Sequence, residues 1–295
     1  MEPDSTALLI VLLLIVAGAL YAMARSRRWF VKVGAAVLAV ALAMLAGMAV
    51  VNESFGYYRS WSALNADLTG DYNAFGGAPA GTRTIAFRDQ HGHLEQIDMA
   101  GATSKFDRPA LVYLPPQYYQ REYASVRFPV VELIHGSPGN PRSWTVHLNV
   151  VRIIDKLISA HLMGPVVLVM PTSNSGRDFE ECLNSRHGLD DTYVSAEVPA
   201  DTMRRFRVAT DRSEWGIAGL SSGGYCAANL SLRHRGDYGA VGIMDGYFRP
   251  RDGEAAGELG FNRRAEAAND PLAAARALSS TTAPLPPFWL AAGSG

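Results

Sequence analysis

The chain is poor in the residues that build several classes of protein. Cysteine occurs twice in 295 residues, at Cys182 and Cys226, which excludes a cysteine zinc cage and a disulfide-stapled miniprotein and leaves room for one bridge. A surplus of charge is also missing: 27 basic residues stand against 28 acidic ones. Without a basic field to concentrate a polyanion, nucleic-acid binding has no electrostatic support. The acidic residues Asp178, Glu180, Glu181, Asp190 and Asp191 lack the spacing of a calcium loop, and read as a solvated loop or a rim facing a cationic substrate group. No internal repeat is visible. With 48% hydrophobic residues, 28 glycines and 16 prolines, the chain is too apolar for disorder and too irregular for a fibre.

Its apolar residues are unevenly spread. Segments 6–24 and 33–51 carry no charge, and each is long enough, at ~1.5 Å per residue, to cross a hydrocarbon core of ~30 Å as a helix. The alternative is a secretory signal peptide followed by a buried helix. Glu2 and Asp4 speak against it, because a signal peptide begins with positive charge. Between the two segments lie Arg25, Arg27, Arg28 and Lys32. The positive-inside rule keeps that short loop cytoplasmic, so both chain ends face outward. This predicts a two-pass cell-membrane protein in which 1–51 form a transmembrane hairpin in the lipid bilayer, 52–81 a Gly/Ala-rich linker, and 82–295 an extracytoplasmic domain.

Within that domain, short apolar runs at 84–87, 94–99, 110–114, 128–134, 166–170, 214–218, 240–244 and 287–292 read as strands. Helical spacing marks 144–161, 194–207, 225–234 and 271–278. Alternation of this kind predicts an α/β doubly wound, mostly parallel sheet, with its site at the carboxyl ends of the strands.

Gly219-Leu220-Ser221-Ser222-Gly223 stands between the run EWGIA and a helix, the context in which G-x-S-x-G becomes a nucleophile elbow. Ser221 is the candidate nucleophile, and Gly219 and Gly223 leave room for the sharp turn. The helix start behind it favours developing negative charge. The segment HGSPGN after the run at 128–134 supplies a second donor, so the backbone N–H groups of Ser137 and Ser222 are the candidate oxyanion hole. The competing reading of HGSPGN is a plain glycine-proline turn.

The runs VYLPPQYY, FPVVELIHGSPGNPRSW, GIAGLSSGGYCAANL and GIMDGYF together resemble the α/β-hydrolase esterase family that includes esterase D-like enzymes and actinobacterial mycolyltransferases. The resemblance covers about 84–295. It implies an α/β-hydrolase fold and acyl-ester hydrolysis or acyl transfer through an acyl-serine, with no metal or cofactor.

In this fold the triad order is Ser, then Asp or Glu, then His, and the chain departs from it. Only His234 follows Ser221, too far along the elbow helix to reach back. His135 belongs to the oxyanion loop, and the other histidines read as surface or turn residues. Asp245, after the run 240–244, is a candidate acid, with a turn cap as the alternative. The expectation is therefore a hydrolase domain truncated at its C-terminus, with acid and base beyond residue 295. Cys182 and Cys226 pair in an oxidising compartment or remain free buried thiols. The function expected is a membrane-anchored extracytoplasmic serine esterase or acyltransferase acting on a lipid or glycolipid acyl ester of the envelope, aminoacyl-phospholipid hydrolysis being one version. The alternative is a catalytically inactive hydrolase-fold module for binding or assembly. Oligomeric state is not legible.

Overall fold

The computed structural model describes residues 5–55, 92–137, 139–173, 181–250, 259–279 and 285–292, with isolated positions at 3, 61, 64 and 257. The expected strand at 84–87 and most of the expected linker lie outside the described residues. The chain divides into two units, Met1–Phe75 and Gly76–Gly295.

The first unit is a helical hairpin of α1 (Thr6–Arg25) and α2 (Trp29–Phe55). Ser5 caps α1, its Oγ accepting from the Leu8 N–H at 3.3 Å, which satisfies one of the orphan donors of a helix start. Ser26 Oγ accepts from the Arg28 N–H at 3.1 Å and shapes the turn. The second helix begins earlier than the charge-free run at 33–51, since Lys32 ends a hydropathy window but not a helix. Both helices are long and apolar enough to cross a membrane. Small residues face inward (Ala19, Ala39 and Ala46 are buried), while Leu14, Val37 and Met48 are 67%, 65% and 64% exposed. A soluble hairpin turns its large apolar residues the other way; close packing on small residues with an apolar exterior suits lipid.

The second unit is built on a seven-stranded sheet in the order β1-β2-β4-β3-β5-β6-β7: β1 (His93–Ala100), β2 (Asp107–Leu114), β3 (Val130–Ile134), β4 (Val167–Pro171), β5 (Trp215–Leu220), β6 (Ala240–Met244) and β7 (Phe288–Ala291). Pairings β1–β2 and β2–β4 are antiparallel and the rest parallel. Side chains alternate across the sheet. Ala110, Val112 and Leu114 of β2 pack on one face with Val167, Val169, Ile217, Ala227 and Leu230, whereas Leu111 and Tyr113 pack on the other with Leu168, Met170, Trp144 and Val151. The covering helices are α3 (Val150–Ser159), α4 (Val198–Arg205), α5 (Ser222–Arg233), α6 (Arg263–Ala268) and α7 (Pro271–Ser279).

The helix expected over 144–161 is in fact two pieces. A π-turn at Ser143–His147 leads into α3, and Asn149 between them adopts φ 54°. Asparagine tolerates this left-handed conformation better than most residues, and the apolar periodicity that marks the segment does not register the break. α6 is an element beyond those expected, started by Asn262, whose Oδ1 accepts from the Arg264 and Ala265 N–H groups at 3.0 and 3.2 Å.

Candidate active site

Ser221 occupies the turn between β5 and α5 with φ 56° and ψ −120°. A non-glycine residue there costs about 1–3 kcal/mol, and the surroundings must hold it in place. They do so through the backbone. The Ser221 N–H donates to Met244 O at 2.9 Å, and its carbonyl accepts from the Gly224 and Tyr225 N–H groups at 2.9 and 3.1 Å. The flanking glycines are required by contact as well. A Cβ on Gly219 would lie 1.9 Å from Gly223 O, and one on Gly223 would lie 2.2 Å from Ile134 O.

The loop after β3 passes directly over this turn. A Cβ on Gly136 would lie 3.0 Å from Leu220 O and 3.3 Å from Ser221 Cβ. Ser137 and Ser222, the two residues with candidate oxyanion donors, therefore flank the serine from two different elements. Ser222 opens α5, where the first N–H groups of a helix have no intrahelical acceptor.

His135 holds that loop down. It is 2% exposed; its Nδ1 lies 2.9 Å from Gly136 O, and its Nε2 lies 3.2 Å from both the N–H and the Oγ of Ser173, just past β4. Burial pushes its pKa down to about 4, so the ring is neutral near pH 7, with Nδ1–H donating and Nε2 accepting. The sequence places His135 in the loop without showing this clamp; the one signal available is a histidine directly after a buried strand, whose ring must enter the core.

Among the described residues, no imidazole hydrogen-bonds to Ser221 Oγ. His93 lies on β1, 3.7 Å from Glu95, His161 follows α3 with φ 57°, and His187 accepts from Arg186 Nε at 2.9 Å. His234 ends α5, with Nε2 2.6 Å from Asp191 Oδ1. That contact, chiefly a hydrogen bond, raises the His234 pKa. His91 lies outside the described residues. Asp245 follows β6 in a left-handed conformation (φ 52°) with an exposed side chain, and its N–H donates to Ala291 O at 2.7 Å. It thus adjoins Met244, whose carbonyl holds Ser221. No group of acids, histidines and cysteines among the described residues could hold a metal ion.

The expected acidic rim requires correction. Asp190 and Asp191 are each 1% exposed. Asp190 pairs with Arg108 at 2.6 Å, and Asp191 with Arg233 at 3.1 Å and His234 at 2.6 Å. A carboxylate enters a core only when paired, and its partners, on β2 and α5, are too distant in sequence to suggest themselves. Asp178 and Glu180 lie outside the described residues, and Glu181 is 3% exposed.

Cys182 and Cys226 form a disulfide with Cα atoms 5.6 Å apart, tying the loop before Asp190 to the second turn of α5.

The family model "Putative esterase" matches residues 102–292, and the chain belongs to that esterase family. An uncharacterised protein of Corynebacterium glutamicum is 30% identical over 216 residues, covering 71% of this chain and 50% of the relative. A protein of Xylanibacter ruminicola named endo-1,4-beta-xylanase/feruloyl esterase is 26% identical over 159 residues, covering 53% of this chain and 22% of the relative. The chain thus spans half or less of the length of these curated relatives. Among solved structures, an S-formylglutathione hydrolase from Agrobacterium tumefaciens superposes with a TM-score of 0.57 at 20% identity, over 69% of this chain and 76% of that one. The fold is that of an α/β-hydrolase.

Proposed function

We propose that this esterase-family protein is a serine esterase or acyltransferase whose nucleophile is Ser221 and whose oxyanion hole is formed by the N–H groups of Ser137 and Ser222. The observation that carries the reading is the strained Ser221 conformation, held at the carboxyl edge of the sheet beneath a glycine loop. Strain of this kind persists where the surrounding structure enforces it, and such positions cluster at active sites. The nucleophile would attack an ester carbonyl, and donors at the helix start and the loop would stabilise the oxyanion. The apolar hairpin supports tethering to a bilayer, and the disulfide supports an oxidising compartment. A lipid or envelope acyl ester is the substrate class proposed; the name feruloyl esterase, carried by one relative, keeps aromatic-acid esters within the panel to be assayed.

A second reading, a hydrolase fold used for binding, is favoured by one observation: no described imidazole hydrogen-bonds to Ser221 Oγ, and a serine without a base is a weak nucleophile. One experiment decides between them. A fluorophosphonate probe is expected to label the full-length protein at Ser221, and Ser221→Ala is expected to abolish both labelling and ester hydrolysis. Absence of labelling in the wild type would establish the binding reading.

A further inference from the structure

The two donors proposed for the oxyanion hole differ in how their direction is set. Ser222 opens α5, and a helix start aims its N–H groups along the helix axis. The Ser137 N–H lies in a loop, where it shares one planar trans peptide with the carbonyl of Gly136. Within such a unit the C=O and the N–H point in opposite directions, so whatever holds Gly136 O also aims the Ser137 N–H. Gly136 leaves that direction soft. A Cβ there would lie 3.0 Å from Leu220 O and 3.3 Å from Ser221 Cβ, so the close passage over the elbow suits glycine, and glycine has the freest backbone of any residue. The peptide can turn over unless a further contact holds it.

His135 supplies that contact. Its Nδ1 lies 2.9 Å from Gly136 O, and its Nε2 lies 3.2 Å from both the backbone nitrogen and the Oγ of Ser173. A backbone N–H only donates, so Nε2 accepts, and the single proton of the neutral ring sits on Nδ1, from which it donates to Gly136 O. Ser173 thus selects the tautomer that holds the carbonyl. His135 and Ser173 are 2% and 3% exposed, which keeps water from competing for either bond. Two glycines make room for the arrangement: a Cβ on Gly139 would lie 2.6 Å from Gly136 O, and one on Gly223 would lie 2.6 Å from His135 O. His135 therefore bears on the Ser137 donor through its ring and abuts the first turn of α5, beside Ser222, through its own carbonyl.

We infer that His135 is a positioning residue of the oxyanion hole: through the Gly136 carbonyl it aims the Ser137 N–H, and Ser173 sets the tautomer that lets it do so. The inference rests on the Ser221 reading for its catalytic consequence, and on the Gly136–Ser137 peptide alone for its geometry.

The test uses the full-length protein in detergent, p-nitrophenyl butyrate as substrate, and two replacements that divide the imidazole between them. His135→Asn keeps a donor near the position of Nδ1, and His135→Gln keeps an acceptor near that of Nε2. His135→Gln is expected to lower kcat roughly a hundred-fold, as loss of an oxyanion donor does, with KM little changed. His135→Asn is expected to recover about ten-fold of that loss, the worth of one hydrogen bond. Equal kcat in the two variants, or a loss confined to KM, overturns the inference, because a residue that merely fills the core does not distinguish them. If the wild type neither hydrolyses the ester nor takes up the fluorophosphonate, the Ser221 reading fails by itself. The geometry is then judged by solid-state NMR of the wild type carrying nitrogen-15 histidine and carbonyl-carbon-13 glycine, which also serves if a variant does not fold. A histidine ring protonated on Nδ1 alone, in dipolar contact with a glycine carbonyl carbon, supports the inference. A spectrum without such a ring overturns it.

Discussion

Ser221 and Glu132 show two ways in which a single residue is held against its own preference. Ser221 keeps an unfavourable backbone because glycines on both sides allow β5, α5 and the end of β3 to approach within contact. Glu132 keeps a carboxyl inside the sheet at 0% exposure. Tyr238 Oη donates to its Oε2 at 3.3 Å, yet burial dominates over this bond and over the Arg212 charge, and its pKa rises to about 8. A carboxyl with a raised folded pKa stabilises the protein most when the unfolded chain is also protonated. That contribution is present below about 4.5 and is lost as pH rises towards about 8, by roughly 5 kcal/mol at ~1.4 kcal/mol per pKa unit. Glu132→Gln does not titrate. Its stability relative to wild type, followed by urea denaturation, is expected to climb across that window; a constant difference would mean that Glu132 ionises normally. The glycine spacing around Ser221 is legible in the sequence, whereas Glu132 in the run VVELI reads only as an exception to a buried strand.

At the scale of elements, α5 joins the site to the rest of the domain. It starts directly after Ser221, carries Cys226 in its second turn and ends directly before His234, which meets Asp191. The disulfide closes a loop with a sequence separation of 44, and the chain-entropy argument assigns such a loop about 4 kcal/mol. Cys182→Ala together with Cys226→Ala is expected to lower the unfolding free energy by an amount of this order in denaturant titrations, and reductant should do the same to the wild type once the domain opens. A variant within 1 kcal/mol of wild type would show the bridge to be incidental. The strand–turn–helix of the elbow follows from local pattern, since β-branched runs, turn glycines and helical spacing each act over a few residues. The break at Asn149 does not, because one left-handed residue leaves the apolar period on both sides intact.

For the whole molecule, the governing feature is an esterase domain joined in sequence to two apolar helices with Arg25, Arg27, Arg28 and Lys32 between them. If the hairpin spans a membrane, these residues hold the turn in the cytoplasm. Both native cysteines are bonded to each other, so engineered thiols report without background. A cysteine introduced by Ser26→Cys is expected to resist a membrane-impermeant thiol reagent in intact cells, and one introduced by Ser60→Cys to react. The reverse pattern would put the esterase domain in the cytoplasm.

By itself, the sequence determined the features that local physics decides. They are the apolar lengths of the two helices, the alternation that makes an α/β sheet, and the glycine-framed turn at Ser221. The tertiary structure alone decided what depends on residues distant in the chain. Asp190 and Asp191 lie in a polar stretch and read as surface, yet Arg108, Arg233 and His234 converge to neutralise them inside the core. His135 becomes a clamp only where β4 brings Ser173 beside it. Hydropathy reports the average environment of a residue type, and a buried charge is stable only when its partners, supplied by the fold, are present.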